Sequence, residues 1–311
     1  MNDQASMSNG AAAGNCPHQT GPRVTVVGSI NMDLAIHAAT IPVPGQTVLG
    51  SSLSTIPGGK GANQAVAAAR CRGRVSIIGR VGNDDFGQRL LLELQTKGVD
   101  TTGVMVSETV GTGTAIVMVD NNGDNAICVA AGANNLLRPD DIDEKVELIT
   151  TADIVMLQLE IPQDTAVYAM QLARRNGIPV VLNPSPVPEM VNPALFEADI
   201  LILNQNETAQ LCGEPADNVR EAKLAGSALV SRGVSTVVVT LGRRGAVSIT
   251  TDEIINIAPF SAKVVDTTGA GDAFTAGFMV GSLRRLPDME CARLANQTAA
   301  RFLEEKARFI Q

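Results

Sequence analysis

Short runs of β-branched residues alternate with longer amphipathic stretches from Arg23 onward, and this alternation constrains the fold more than any other feature. Strands joined by helices in this order form parallel sheets, because a helix must carry the chain back to the start of the next strand. The sequence therefore predicts an α/β fold with a doubly wound, mostly parallel sheet flanked by helices. The strand candidates are Val24–Gly28, Val75–Val81, Ile154–Leu159, Pro179–Asn183, Ile200–Asn204 and Thr236–Leu241.

The helix candidates lie near residues 61–72, 84–98, 139–149, 163–176, 218–232 and 270–285. Two segments, at about 34–57 and 107–131, break the strand-helix rhythm. The second contains two alternating runs, Thr114–Val119 and Asn125–Ala130, around an Asn122-Gly123 step that is typical of hairpins. Together they predict a small β-sheet lid within a single domain over residues 22–311. Residues 1–21 are rich in Asn, Gly, Ala and Ser and predict a disordered tail.

Composition excludes several kinds of partner. The 24 basic and 32 acidic residues give a net charge of −8, and no basic run is long enough to follow a nucleic-acid backbone. The apolar runs have strand length, far below the roughly 20 residues that span a bilayer. The five cysteines form no C-x-x-C pair, which favours reduced thiols in the cytoplasm over disulfides. We predict a cytoplasmic protein that binds neither nucleic acid nor a membrane.

Two polar residues, Asn31 and Asp33, follow the first predicted strand. At the carboxyl end of a strand they could form hydrogen bonds with a polyol. An Asx-type turn, which Asn and Asp favour through their own backbone hydrogen bonds, is the structural alternative. The segment alone leaves both interpretations open.

A Gly-rich segment, Pro57-Gly58-Gly59-Lys60-Gly61-Ala62-Asn63-Gln64, leads into an Ala-rich helical run. Paired glycines let the backbone approach a ligand closely, and Lys60 and Asn63 add polar groups. The segment is not a Walker A loop, because Gly61 stands where Ser or Thr would follow the lysine. We interpret it as a ligand-binding loop, with a plain loop-to-helix turn as the alternative.

A third cluster, Asp266-Thr267-Thr268-Gly269-Ala270-Gly271-Asp272, directly precedes a predicted helix. The first amides of a helix have no intrahelical acceptor and, with the helix dipole, attract an anion. Phosphoryl transfer needs such amides beside a carboxylate that accepts the proton of the attacking hydroxyl. We predict that Gly269, Ala270 and Gly271 form an anion hole and that Asp272 is the catalytic base. An Asp that only complements the helix dipole is the alternative.

The segments Gly-Gly-Lys-Gly-Ala-Asn-Gln and Asp-Thr-Thr-Gly-Ala-Gly-Asp resemble, in order and separation, the two signatures of the ribokinase-like PfkB family of carbohydrate kinases. The resemblance extends from about Val24 to about Ala300. It implies ATP-dependent phosphorylation of D-ribose at the 5-hydroxyl, with Mg²⁺ beside ATP, K⁺ as activator and a homodimer formed through the lid. Kinases of deoxyribose or fructose are alternatives, whereas an aromatic content of 3% argues against a stacked nucleoside substrate.

The resemblance also assigns residues to sites. The sugar site would comprise Asn31, Asp33, Gly58, Gly59, Lys60, Asn63, Glu160 and Asp272. The ATP site would comprise Asn204, Thr240, Gly242, Gly245, Gly271 and Asn296. Glu207 would serve Mg²⁺ through water, and Asp266 with the Thr268 carbonyl would hold K⁺. Spacing from Asp199 favours Asn204 over Asn206 as the partner of Glu207, and a plain strand-turn-strand glycine pair is the alternative for residues 240–245.

One departure from the family concerns the segment after a helix near 289–303. Related kinases continue there with a Gly-containing turn and elements that close the nucleotide pocket, whereas this chain reads Glu304 to Gln311. This departure leaves ATP affinity and K⁺ activation open, while the base and sugar motifs are intact, and a catalytically weak sugar-binding homologue is the alternative. A dinucleotide oxidoreductase is disfavoured, because no Gly-x-Gly-x-x-Gly follows the first strand.

Overall fold

The computed structural model describes residues 21–122, 124–259 and 269–310. The strands are β1 (Arg23–Val27), β2 (Asn31–Ala38), β3 (Gly50–Gly58), β4 (Arg74–Gly82), β5 (Val99–Ser107), β6 (Gly113–Val119), β7 (Asn125–Ala130), β8 (Ile154–Gln158), β9 (Val180–Asn183), β10 (Ile200–Asn204), β11 (Thr236–Thr240), β12 (Ala246–Thr250) and β13 (Ile254–Ile257). The helices are α1 (Lys60–Arg70), α2 (Asp85–Thr96), α3 (Pro139–Asp143), α4 (Val146–Thr150), α5 (Gln163–Arg175), α6 (Gln205–Cys212), α7 (Val219–Val230), α8 (Ala270–Leu283) and α9 (Asp288–Ile310).

The main sheet of the described chain has nine strands in the order β13-β12-β11-β10-β9-β8-β1-β4-β5. Its central strands run parallel, with β1 between β4 and β8. All five residues of β8 are buried, because helices cover both faces of the sheet. At one edge β12 and β13 are antiparallel to their neighbours. The predicted α/β fold with a mostly parallel sheet is confirmed.

A second sheet of four strands has the order β3-β2-β6-β7. Strand β2 pairs antiparallel with β3 and parallel with β6, and β6 and β7 form the hairpin that the sequence predicts. The Asp120 amide donates to the Asp124 carbonyl across the turn, whereas Gly123 lies outside the described residues. We call these four strands the small sheet.

Several elements differ from the sequence prediction. The helix expected over 139–149 is two short helices, α3 and α4, because Lys145 leaves helical geometry at φ −117° and ψ 22°. Strand β5 escaped prediction because its first half is polar and its pairing with β4 shifts register between Ser76 and Ile78. Helix α6 was not predicted because it begins directly at the end of β10, with no loop to mark its start.

The chain passes between the two sheets in short segments, and Asp84 fixes the segment that leads into β6. This residue caps α2, where its Oδ1 accepts from the Gly87 amide at 2.8 Å. It also accepts from the amide of Thr112 at 2.7 Å and from its hydroxyl at 2.6 Å, directly before β6. These hydrogen bonds lower the pKa of Asp84, against the opposing effect of partial burial. Asp84 therefore holds the entry to the small sheet against the main sheet.

No helix among the described residues combines the length and the apolar character needed for a membrane crossing.

Candidate active site

Asp272 lies in the first turn of α8, behind Gly269, which caps the helix at φ 84°. Such a positive φ strains any residue with a Cβ, so glycine is the natural residue here. Asp272 is only 6% exposed. Gly271 beside it is exposed, and a Cβ built there would meet no heavy atom of the described residues within 4 Å. The first-turn amides of α8 thus border open space next to a buried carboxylate.

The Gly-rich loop ahead of α1 faces this turn. Gly59 caps α1 at φ 89°, and a Cβ there would lie 2.7 Å from the Asn31 amide nitrogen. The loop can therefore pass this close to β2 only with glycine at 59. The next residues of α1 reach Asp272, because Asn63 Nδ2 donates to Oδ2 at 3.2 Å and Gln64 Nε2 donates to Oδ1 at 3.0 Å.

Burial raises the pKa of Asp272. The positive charge of Lys60 and the hydrogen bonds from Gln64 and Asn63 oppose this rise, whereas Glu160 adds to it. A carboxylate whose pKa is raised toward the working pH is a better proton acceptor than an ordinary surface carboxylate. The environment of Asp272 therefore suits a general base.

Glu160, directly after β8, is held by groups from two other elements. Its Oε2 accepts from Ser29 Oγ at 2.5 Å, from the Lys60 amide at 3.1 Å and from Asn31 Nδ2 at 3.5 Å. Burial alone would lower the pKa of Lys60, but the carboxylates of Asp272, Glu160 and Glu207 outweigh it, so the net pKa is raised. Lys60 thus stays protonated among three carboxylates.

Asn31 and Asp33 belong to β2 of the small sheet, so neither an Asx turn nor the end of a main-sheet strand describes them. Asn31 Oδ1 accepts from Asn134 Nδ2 at 2.7 Å, which fixes the orientation of its amide. Asp33 packs its carboxylate over Gly58, where any Cβ would collide with it. A cavity of about 280 Å³ opens there, with Asp33 and Asn63 in its lining.

A larger cavity of about 550 Å³ lies at the opposite, amino ends of β1, β4 and β5. Its lining contains none of the predicted site residues. In parallel sheets ligands bind at the carboxyl ends of the strands, so this larger cavity does not belong to the predicted site.

Two of the predicted nucleotide residues, Asn204 and Thr240, lie at the carboxyl ends of β10 and β11. Asn204 caps α6 by accepting from the Glu207 amide at 2.9 Å, and Glu207 Oε2 accepts from the Asn204 amide at 2.9 Å. Thr240 pairs with Asn204 in the sheet, and its Oγ1 donates to the Leu203 carbonyl at 3.2 Å. Asn204 and Glu207 therefore form a capping box, which is a structural use of this pair.

The remaining predicted residues have different positions. Gly242 and Gly245 follow β11 in a tight turn, both with positive φ. Asn296 lies on α9 and donates to the Ala258 carbonyl at 2.9 Å. Asp266 and Thr268, predicted for K⁺, lie outside the described residues. The structure thus brings the predicted sugar residues together around Asp272 and Glu160, and Asn204 and Thr240 together on adjacent strands.

The sequence patterns did not identify several buried amides at this site, namely Gln64, Asn134, Gln158 and Asn183. Their signal was present, because a Gln in an apolar strand such as β8 must find a polar partner inside the protein. The partner could not be named, because Gln64 lies 208 residues from Asp272 in the chain.

Comparison with known proteins agrees with this geometry. A family model described as pfkB family carbohydrate kinase matches residues 22–307. The chain is 36% identical over 278 residues to ribokinase from Bacillus subtilis, covering 89% of this chain and 91% of that protein. It is 34% identical over 256 residues to deoxyribokinase from Salmonella typhi, covering 82% of this chain and 84% of that protein.

Comparison of the fold with solved structures indicates the same family. The structure of Arabidopsis thaliana ribokinase complexed with ribose and ATP matches with a TM-score of 0.85 and 32% identity, over 91% of this chain and 93% of that one. The match includes both sheets. These similarities agree with the site, in which a Gly-rich loop faces a buried carboxylate behind a glycine cap. The chain belongs to the pfkB family of carbohydrate kinases.

Proposed function

We propose that this carbohydrate kinase transfers the γ-phosphoryl group of ATP to the 5-hydroxyl of D-ribose, giving ribose 5-phosphate and ADP. The observation that carries the proposal is the buried Asp272 carboxylate beside the open first turn of α8. The side-chain amides of Asn63 and Gln64 on α1 hold this carboxylate. Relatives named ribokinase, and a related structure complexed with ribose and ATP, support the choice of substrates.

In the proposed sugar site, hydroxyl groups of ribose bind between the small sheet and α1. Asn31 and Asp33 contribute from β2, and Gly58, Gly59, Lys60 and Asn63 from the loop and α1. Glu160, whose Oε2 already accepts three hydrogen bonds, completes the site from the segment after β8. Carboxylates and amides suit a neutral polyol, because its hydroxyl groups both donate and accept hydrogen bonds.

In the proposed transfer, Asp272 accepts the proton of the ribose 5-hydroxyl. The oxygen of that hydroxyl attacks the γ-phosphorus of ATP in line. The new O–P bond forms as the bond to the β-phosphate oxygen breaks, and ADP leaves with that electron pair. The amides of Gly269, Ala270 and Gly271 donate to the oxygens of the moving group, where negative charge is concentrated. Asp272 later releases its proton to solvent.

On the nucleotide side we assign Asn204, Thr240, Gly242, Gly245, Gly271 and Asn296 to ATP. Mg²⁺ would offset the charge of the phosphates, and it keeps several waters and few protein ligands in such sites. Glu207 fits this need, because its capping hydrogen bonds use Oε2 and leave Oε1 for a hydrated ion. We also propose activation by K⁺ at Asp266 and Thr268.

Deoxyribose is the second candidate substrate, because a deoxyribokinase is among the similar proteins. The two sugars differ only in the 2-hydroxyl. A site built to bond that hydroxyl rejects the deoxy sugar strongly, because its polar groups are then left unpaired. The ratio of kcat/KM for the two sugars therefore decides between them.

We further propose a homodimer formed through the small sheet and a site of action in the cytoplasm. Strand β7 is the exposed edge strand of this sheet among the described residues, and its free edge and apolar side chains favour pairing with another chain. None of the four cysteines in the described part of the chain forms a disulfide, which suits a reducing compartment.

The decisive experiment measures ATP-dependent phosphorylation of D-ribose and deoxyribose by the purified chain, with K⁺ or Na⁺, beside the Asp272→Asn variant. We expect turnover of ribose that K⁺ accelerates, and a loss of at least about 10³-fold in kcat in the variant with the KM for ribose nearly unchanged. Absence of turnover by the unmodified chain would contradict the proposed function. Near-normal turnover by Asp272→Asn would remove Asp272 as the base.

A further inference from the structure

The two carboxylate oxygens of Asp272 have different partners on α1. Oδ2 accepts from Asn63, which is partly exposed and lines a cavity together with Asp33. Oδ1 accepts from Gln64, which has no exposed surface. A ligand can replace the first hydrogen bond but cannot reach the second. Oδ2 is therefore the oxygen that can meet a sugar hydroxyl.

Gln64 is itself fixed by two further amides. Its Oε1 accepts from Gln158 Nε2 at 2.6 Å, and its Nε2 also lies 3.4 Å from Asn183 Oδ1. Asn183 Nδ2 donates to the Ile202 carbonyl at 2.9 Å, which sets the direction of its amide. These hydrogen bonds orient the Gln64 side chain so that its N–H group points at Asp272 and not its oxygen.

This arrangement carries an energetic cost that packing alone does not explain. Gln64 and Gln158 are fully buried and Asn183 is 7% exposed. Gln158 Oε1 is buried with no hydrogen-bond partner among the described residues. Apolar side chains of the same size would avoid the desolvation of these amides. The amides therefore have a use at the carboxylate on which they converge.

We propose that Gln64 is a positioning residue for the transfer reaction, which holds Oδ1 of Asp272 so that Oδ2 faces the attacking hydroxyl. The inference rests on the proposed function of Asp272. Gln64 touches neither sugar nor phosphate, and Gln158 and Asn183 act through it. Its hydrogen bond also stabilises the ionised carboxylate, which must be present before it can accept a proton.

The charged groups that face Asp272 set the sign of the expected pH effect. Lys60 from α1 lowers its pKa, Glu160 after β8 raises it, and the Gln64 hydrogen bond lowers it. Loss of that hydrogen bond therefore raises the pKa further. The acidic limb of the kcat/KM profile should move to higher pH, because a larger fraction of Asp272 is then protonated.

The test compares Gln64→Met and Gln64→Glu with the unmodified chain. In Gln64→Met we expect kcat to fall about tenfold to hundredfold while the KM for ribose changes by less than about threefold. The acidic limb should move upward by about one pH unit, and further in Gln64→Glu, because a carboxylate then faces a carboxylate. Thr165→Val is the matched control, since it removes a buried hydrogen bond at α5, away from the site. It should leave both kcat and the pH profile unchanged.

A second measurement does not depend on turnover. The cost of Gln64→Met to the free energy of unfolding should grow between pH 4 and pH 7, because the hydrogen bond is stronger to an ionised carboxylate. This growth should vanish in an Asp272→Asn background. If Gln64→Met does not fold, the isosteric Gln64→Glu replaces it in both measurements.

The outcomes separate the two claims. Absence of ribose phosphorylation by the unmodified chain contradicts the proposed function, while the unfolding measurement still tests the contact. Normal turnover by the unmodified chain, with an unshifted acidic limb and unchanged kcat in Gln64→Met, overturns the positioning role alone. A pH-independent unfolding cost in Gln64→Met overturns it as well.

Discussion

A glycine stands at position 271 in the first turn of α8, where alanine would favour the helix. Nothing in the described fold requires it, because a Cβ there would meet no heavy atom within 4 Å and the residue has no positive φ. A residue that local stability does not explain points to a need for space. The proposed anion hole needs that space, because oxygens of the phosphoryl group must approach the amides.

The Gly271→Ala variant tests this interpretation. We expect the free energy of unfolding to rise by about 0.5–1 kcal/mol, because alanine has the higher helix propensity. Turnover should nevertheless fall at least about tenfold, because the methyl group occupies the approach to the amides. Thermal or denaturant unfolding and steady-state kinetics measure the two effects. A more stable variant with unchanged turnover would take Gly271 out of the anion hole.

At the scale of helices and strands, the sequence predicted what local patterns encode. Alternating runs predicted the β6–β7 hairpin, and Gly-rich segments before helices predicted the starts of α1 and α8. The sequence did not predict contacts between residues that are far apart in the chain. Gln64 and Asn183 are 119 residues apart, and Asn134 is 103 residues from the Asn31 side chain that it orients.

A second reason why the sequence did not predict the whole site is that one residue can serve two purposes. Asn204 and Glu207 were predicted for ATP and Mg²⁺, yet in the structure they cap α6 with reciprocal hydrogen bonds. The pattern of Asn followed three residues later by Glu is also that of a capping box. Sequence alone could not separate these uses, because both require the same residues at a helix start.

The start of α2 provides a prediction at this scale. Asp84→Ala removes the helix cap and both hydrogen bonds to Thr112, so we expect the free energy of unfolding at pH 7 to fall by about 1–2 kcal/mol. The folded state lowers the pKa of Asp84, so this stabilisation exists above the unfolded pKa and is lost as pH falls through the folded pKa.

The difference in the free energy of unfolding between the unmodified chain and Asp84→Ala should therefore become smaller at acidic pH. Unfolding curves from pH 7 to pH 2.5 measure it. Asp85→Ala is the matched control, because Asp85 is the exposed neighbouring residue in the same turn. A pH-independent difference, or an equal loss in Asp85→Ala, would show that Asp84 does not act through its ionised carboxylate.

At the scale of the whole molecule, no described residue covers the outer edge of the small sheet at β7. All six residues of β7 are exposed, and Ile127 and Val129 are 52% and 47% exposed. Lysine on an edge strand prevents pairing, because its charge cannot be buried against another strand. We expect the unmodified chain to sediment as a dimer and Val129→Lys as a monomer, with a dissociation constant raised at least about hundredfold.

Leu224→Lys is the control for this experiment. Leu224 is 66% exposed on α7, which packs against α6, β11 and β12 of the main sheet. That variant should remain dimeric in sedimentation velocity. A monomeric unmodified chain would contradict the proposed dimer, and a dimeric Val129→Lys would move the interface away from β7.

Lys60 lies among the carboxylates of Asp272, Glu160 and Glu207, and this balance of charge affects the two sides of the proposed reaction differently. Ribose enters uncharged, so Asp272 and Glu160 can bind its hydroxyl groups without repulsion. The product leaves with about two negative charges on its phosphate at neutral pH. The ionised carboxylates that hold the sugar therefore repel the phosphate of the product, whereas the protonated Lys60 attracts it, so the balance between them affects how readily the sugar phosphate departs.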